Sequence, residues 1–114
     1  NDRDIGEELI FIAQGVDNND TQALYAAKTI AQSYKSFSED LVKIPAVPTS
    51  LANVVVELAN NYYKTGASIE EMTKLADDEL AGMRGLVNYN QYSMALIKNL
   101  ETMRTFFIRN GILK

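Results

Sequence analysis

The sequence contains no cysteine and no histidine in 114 residues. Without cysteine it can form no disulfide, zinc–thiolate site, iron–sulfur cluster or thiol nucleophile, and its redox compartment stays open. Without histidine it lacks the usual general base near neutral pH and the commonest transition-metal ligand. Its carboxylates are dispersed, so the sequence predicts a non-enzymatic protein with no metal site and no cofactor.

Basic charge and long apolar runs are also scarce. The formal net charge is -4, and the 11 basic residues are scattered from Arg3 to Lys114, whereas nucleic-acid binders normally carry a basic face. Apolar runs such as 54–56 are far shorter than the roughly 20 residues that cross a bilayer. We therefore expect no nucleic-acid partner and no membrane span within this chain.

Apolar residues recur at alternate spacings of three and four along most of the sequence, which is the period of an amphipathic α-helix. Glycine, proline and Asx residues interrupt this pattern where helices usually end. The predicted helices are Asp4 to about Gln14, Asp20 or Thr21 to Lys43, Thr49 or Ser50 to about Lys64, a short one over Ile69 to Leu75, and about Asp78 to Asn110. The stripe predicted for the second helix is Ala23, Ala27, Ile30, Tyr34, Phe37 and Leu41. The stripe predicted for the last helix is Leu86, Tyr89, Ser93, Leu96, Leu100, Met103 and Phe107.

These elements predict a single all-α domain over residues 1–114. We expect an antiparallel up-down helical bundle of about four main helices, with a short connecting helix and a long C-terminal helix, because short connections favour antiparallel neighbours. Gly82 and Gly85 lie inside the last helix, where glycine is costly, so we expect them to admit a close backbone or the ring of Tyr62 or Tyr63.

Two acidic clusters raise the question of metal binding. The segment Asp17 to Thr21 has alternating oxygen ligands, but Gln22 and Lys28 stand where a calcium loop needs glycine and glutamate. A turn followed by a helix cap is the better interpretation. The carboxylates of Asp77 to Glu79 are consecutive at a helix start, so they fan apart and are interpreted as exposed cap residues.

The most distinctive composition combines tyrosines with amides, in 60–63 and in 88–92. Tyrosine contributes a large contact area at low entropy cost, and amides pair with peptide or sugar groups. The alternative is that these tyrosines lie at the edge of the core, with the ring buried and the hydroxyl exposed to solvent. The residues predicted to form a ligand or partner surface are Asn60, Tyr62, Tyr63, Tyr89 and Tyr92.

Several segments occur in an order that resembles a known group of proteins. These segments are Tyr34-Lys35-Ser36-Phe37, the run 40–48 (DLVKIPAVP), Leu58-Ala59-Asn60, the acidic pair Asp77-Asp78, and 106–112 (FFIRNGI). They resemble uncharacterised helical-bundle ectodomains, signal-anchored or lipoprotein-like, of small-genome candidate-phylum bacteria. The group has no assigned chemistry, so the resemblance implies only where the protein is located in the cell. It implies an anchor upstream and an extracytoplasmic location in the cell envelope, and the cytoplasm is the alternative.

The leading hypothesis is a non-catalytic extracytoplasmic domain that acts through protein–protein contacts with an unidentified partner. The alternative is a small-ligand-binding or sensor bundle with a pocket lined by tyrosine and asparagine. The sequence does not indicate an oligomeric state.

Overall fold

The computed structural model describes residues 7–17, 20–44 and 47–111, and within them the chain forms four α-helices. They are α1 (Glu7–Asp17), α2 (Thr21–Val42), α3 (Thr49–Met72) and α4 (Glu79–Arg109). Helix α3 packs against both α2 and α4, and α1 packs against α2. The predicted all-α helical bundle is confirmed. None of the helices in the described ranges is long and apolar enough to cross a membrane.

The start of α2 and both ends of α4 lie within one residue of their predicted positions. Asp20 caps α2, since its carboxylate accepts hydrogen bonds from the backbone N–H groups of Gln22 and Ala23 at 3.0 and 3.2 Å. Asp78, one of the three carboxylates interpreted as cap residues, caps α4 by accepting a hydrogen bond from the backbone N–H of Ala81 at 3.1 Å. Gly111 adopts a φ of +72° directly after α4, a conformation that suits glycine at a helix end.

Helix α3 is continuous where the sequence predicts a break. It passes through Gly66 and ends at Met72, so the predicted end near Lys64 and the separate helix from Ile69 to Leu75 are both wrong. A Cβ atom on Gly66 would lie 2.7 Å from the carbonyl oxygen of Ala31 in α2. The glycine therefore serves a close helix crossing, and packing overrides its low helix propensity.

Helix α1 differs from its prediction in a similar way. It extends through Gly15 to Asp17, so the predicted end near Gln14 is wrong. A Cβ atom on Gly15 would overlap the side chain of Leu24, so this glycine lies at a close contact with α2. The predicted helix start at Asp4 lies outside the described residues.

The two glycines of α4 also serve close packing. A Cβ on Gly85 would lie 2.8 Å from both the backbone nitrogen of Met72 and the carbonyl oxygen of Ser68. The predicted close backbone is thus confirmed, but the predicted tyrosine neighbour is wrong. The ring of Tyr62 packs instead against α2, with its centroid 5.8 Å from that of Tyr34.

The core lies where α2, α3 and α4 meet. The predicted stripe of α2 is buried except for Phe37. The neighbouring Ser38 is also buried, and its hydroxyl donates a hydrogen bond to the carbonyl of Ala59 at 2.7 Å. On α4 the predicted Tyr89, Ser93 and Leu96 are buried. The predicted Leu86 and Leu100 are exposed.

Helix α1 is the shortest of the described helices, so it lies beside only part of α2 and of α4. Its Gly15 lies beside Leu24, and its Glu8 reaches Tyr34 on α2 and Tyr89 on α4. The 11 residues of α1 therefore run antiparallel to the first half of the 22-residue α2. Helix α4 has 31 residues, and most of its length has α3 as its only helical neighbour among the described residues.

We expect Gly85→Ala to destabilise the fold although alanine is the better helix former. The added methyl group would overlap the backbone of α3, and overpacking of this kind costs about 1–3 kcal/mol. Urea denaturation followed by circular dichroism measures the free energy of unfolding. Thr105→Ala, at an exposed position of the same helix, is the control and should be nearly neutral. A Gly85→Ala variant as stable as the parent would contradict the close crossing.

Candidate functional site

The structure separates the five residues that the sequence predicts as a ligand or partner surface. Tyr62 and Tyr89 are buried in the core, whereas Asn60 and Tyr63 are exposed and Tyr92 is half-buried. Burial raises the pKa of Tyr62 above its ordinary value. The two buried rings are core residues, so the five side chains do not form one continuous surface.

The two more accessible tyrosines each lie beside a lysine of the preceding helix. The Lys35 ammonium lies 5.2 Å from the centroid of the Tyr63 ring, and the Lys64 ammonium lies 5.1 Å from that of Tyr92. Both distances are within the range of cation–π attraction. These contacts join α2 to α3 and α3 to α4, so the tyrosines stabilise helix pairs at the surface.

A buried polar cluster joins α1 to the rest of the bundle. Glu8 is fully buried, and its Oε1 accepts hydrogen bonds from the hydroxyls of Tyr34 and Tyr89 at 3.1 and 2.7 Å. Its other oxygen, Oε2, is buried without a hydrogen-bond partner among the described residues. Burial raises the pKa of Tyr89, and the hydrogen bond to Glu8 and the nearby carboxylate raise it further. Tyr89 therefore stays protonated as a donor.

Four other carboxylates of the described residues have structural partners. Asp20 and Asp78 cap helices, Glu70 forms an ion pair with Lys35, and Glu71 accepts two hydrogen bonds from Arg84 at 2.6 and 2.9 Å. No group of three or more acidic side chains suited to a metal ion occurs within the ranges that the structure describes. Asn18 and Asn19 of the first acidic cluster lie outside those ranges.

An apolar groove lies between α1 and the start of α4. Its volume is about 330 Å³. One wall is the inner side of α1, and the opposite wall is formed by the end of α3, the following turn and the first turns of α4. The lining residues are Leu9, Ile12, Ala13, Val16, Met72, Leu75, Gly82, Met83 and Leu86. The groove is open to solvent and lacks the converging polar groups that orient a specific small ligand.

A second apolar stripe runs along α4, on the side away from α3. We call it the outer seam. Its five apolar side chains are between 43% and 77% exposed. The seam consists of Leu80, Met83, Val87, Asn90, Met94 and Ile97.

The spacing of the outer seam is that of a coiled-coil contact. Its members are separated by three, four, three, four and three residues. In coiled coils this alternation keeps an apolar line facing a partner helix. The position of Asn90 is also typical, since a polar residue at one such site specifies register at a cost in stability. The seam therefore has the pattern of a helix-docking surface.

Sequence analysis missed both the outer seam and the buried Glu8. The seam has a sequence signal, because α4 carries two stripes with alternate spacings of three and four, and we followed only the one through Tyr89 and Leu96. Glu8 has no such signal. A glutamate in the first turn of a helix is normally exposed and interacts favourably with the helix dipole.

Comparisons with known proteins assign neither a family nor a function to this chain. The chain matches no protein-family model, and searches of curated proteins and of solved structures give no significant match. The functional argument therefore depends on the geometry of the chain itself.

We expect Glu8→Ala to lower the free energy of unfolding by about 2–4 kcal/mol, because it removes the carboxylate to which Tyr34 and Tyr89 donate and opens a cavity. Glu8→Gln keeps a carbonyl oxygen at the same place, so its free energy of unfolding should fall by less than that of Glu8→Ala. Urea denaturation of both variants measures the difference. Equal losses in the two variants would show that the hydrogen bonds contribute little.

We also expect Tyr89 to make stability fall at high pH. In the unfolded chain its hydroxyl loses its proton near the ordinary pKa of 10.0, whereas the folded state, with its raised pKa, keeps that proton. Above that pH the folded state binds more protons than the unfolded state. The contribution of Tyr89 to the free energy of unfolding is therefore complete below about pH 10 and is lost as the pH rises further, by up to about 1.4 kcal/mol per pH unit.

The measurement is the free energy of unfolding between pH 9 and 11, and Tyr89→Phe should make its decline with pH shallower. Tyr25→Phe, which removes an exposed hydroxyl, is the matched control. An unchanged slope in Tyr89→Phe contradicts the burial of the hydroxyl.

Proposed function

We propose that this chain is a non-catalytic helical domain that acts through protein–protein contacts, with the outer seam of α4 as its contact surface. The observation that carries the proposal is the absence of charged residues from the middle of the seam. From Gly85 to Ile97 the sequence has no charged residue, although Val87, Asn90 and Met94 are exposed. The free face of a helix in water normally carries charged residues, and a large exposed apolar patch marks an interaction site.

The packing of the bundle supports this surface in particular. Helix α4 has α3 along one side, and among the described residues α1 contacts α4 as far along as Tyr89, through Glu8. Val87 and Met94 are 67% and 68% exposed, so α1 leaves both accessible. A partner helix placed along the seam would complete the packing of α4.

The chemistry of the chain supports a binding role over catalysis. Histidine and cysteine are absent from the sequence, and the carboxylates described above serve as helix caps or ion-pair partners. The most buried carboxylate, Glu8, holds two tyrosine hydroxyls in the core. A contact surface needs none of the groups that an acid–base or nucleophilic mechanism requires.

An extracytoplasmic location is part of this proposal. It is based on the resemblance to signal-anchored and lipoprotein-like ectodomains and on no contact in the bundle. The alternative function, a ligand-binding bundle with a pocket of tyrosine and asparagine, has weaker support. Two of the five residues it needs, Tyr62 and Tyr89, are packed in the core at 6% and 3% exposure.

Site-specific photo-crosslinking in the producing cell tests the contact surface. A photoreactive side chain at Val87 should give covalent protein adducts, identified by mass spectrometry, because a partner would lie within contact distance. The same group at Val56, an exposed valine on α3, is the matched control and should give few adducts.

The effect of a charge completes this test. Met94→Glu in the Val87-labelled protein should abolish the adducts, since it buries an unpaired charge in the interface. Val87→Glu and Val56→Glu should each change the free energy of unfolding by no more than about 0.5 kcal/mol, because both sites are exposed in the isolated chain. Absence of adducts at Val87, or equal adducts at Val56, overturns the proposal.

A further inference from the structure

We infer that Met83 and Met94 form an oxidation site on the outer seam. A small two-electron oxidant of the peroxide class converts their thioethers to sulfoxides, and the seam then binds its partner more weakly. The loss of binding rests on the proposed function, whereas the selective oxidation of these two side chains is a property of the isolated chain.

The composition of the chain makes methionine its most easily oxidised residue. The sequence has four methionines and contains neither cysteine nor tryptophan. In a protein with a reactive thiolate, peroxide would be consumed there first. A peroxide that meets this chain therefore reacts with thioether sulfur.

The structure divides the four methionines into two pairs. Met83 and Met94 are 54% and 68% exposed. Met72 is only 3% exposed, and Met103 is half-buried and packs against the core. An oxidant reaches an exposed side chain directly, whereas a buried one becomes accessible only when the surrounding structure opens. Both of the readily accessible methionines therefore lie on the outer seam.

The two exposed methionines lie on the same side of α4, eleven residues or about 16 Å apart. Val87 and Asn90 lie between them, and no residue from Gly85 to Ile97 is charged. Methionine is frequent at adaptable contact surfaces, because its side chain is unbranched and its thioether is polarisable. Oxidation at either position therefore alters the surface that a partner helix would cover.

The reaction is the transfer of one oxygen atom. The sulfur lone pair attacks an oxygen of hydrogen peroxide, the O–O bond breaks, and a proton moves to the departing oxygen, which leaves as water. Sulfur loses two electrons, peroxide gains them, and the charge of the protein is unchanged. The sulfoxide is polar and accepts hydrogen bonds, so burying it against an apolar partner helix has a desolvation cost.

Binding and oxidation oppose each other at this site. A bound partner would cover both thioethers, so the oxidant acts on the free chain. The sulfoxide then lowers the affinity for the partner, and the partner in turn protects the methionines from oxidation, because the two effects are thermodynamically linked. Methionine sulfoxide reductases reverse the modification, so the seam can regain its affinity.

Peroxide treatment of the isolated full chain, followed by peptide mapping with mass spectrometry, measures the order of oxidation. Met83 and Met94 should be converted first, and the buried Met72 at least about tenfold more slowly, because it reacts only through an opened state. Circular dichroism should show that the oxidised chain stays helical. Oxidation of Met72 or Met103 as fast as that of Met83 and Met94, or loss of the helical signal, overturns the inference.

Photo-crosslinking from Val87 measures the effect on binding. The purified chain with the photoreactive group is oxidised, the peroxide is removed, and the chain is returned to an extract of the producing cell without added reductant. The adduct yield after oxidation is divided by the yield before it. This ratio should fall about tenfold or more, as expected for a polar group without a partner in the interface. Treatment with a methionine sulfoxide reductase should raise it again.

Leucine variants identify the sulfurs responsible, and each variant is compared with its own yield before oxidation. The double variant Met83→Leu with Met94→Leu keeps apolar side chains of similar volume but has no sulfur on the seam, so its ratio should stay near one. Met103→Leu removes a methionine outside the seam and is the matched control, so its ratio should fall as in the parent. An equal fall in the double variant overturns the inference.

Failure of this inference is distinguishable from failure of the proposed function. Adducts at Val87 that persist after complete oxidation of Met83 and Met94 overturn the inference and leave the contact surface in place. A chain that gives no adduct at Val87 before any oxidation rejects the contact surface and, with it, the effect of oxidation on binding.

Discussion

The close approach of α3 to the helices on both sides of it is the constraint on which the rest of the structure depends. Gly66 brings α3 within backbone contact of α2, and Gly85 of α4 lies against the backbone of α3 near Ser68 and Met72. A larger residue at either crossing would separate the helices by the width of a methyl group. Since interiors are close-packed, that separation would propagate into the surrounding side chains.

The position of α3 between its neighbours determines what the other helices can do. Helices α2 and α4 each use one side for α3, and α1 covers a further part of both. The buried contact between Glu8 and two tyrosine hydroxyls orients α1, because a buried polar group must find its partners to avoid a desolvation cost. Among the described residues α1 leaves the outer side of α4 exposed, and the seam there has the spacing of a helix contact.

This arrangement leaves α4 with an apolar stripe on each of two faces. Two apolar stripes on one helix are unusual for an isolated bundle, because only one of them can face its own core. The inner stripe, through Tyr89 and Leu96, packs against α3, and the hydroxyl of Tyr89 donates a hydrogen bond to Glu8. The outer seam exposes Val87 and Met94 to solvent, a cost in apolar hydration that a partner helix would remove.

The sequence by itself determined the helical fold class, the start of α2 and the extent of α4, because periodicity, Asx caps and the terminal glycine act over a few residues. Local pattern also predicted most of the α2 stripe. Only the tertiary structure decided the roles of Gly15 and Gly66, since a glycine that ends a helix and one that admits a neighbouring backbone are identical in local sequence. The burial of Glu8 and the exposure of Leu86 were likewise decided by the neighbouring helices, because burial depends on what packs against a face and not on the pattern of that face alone.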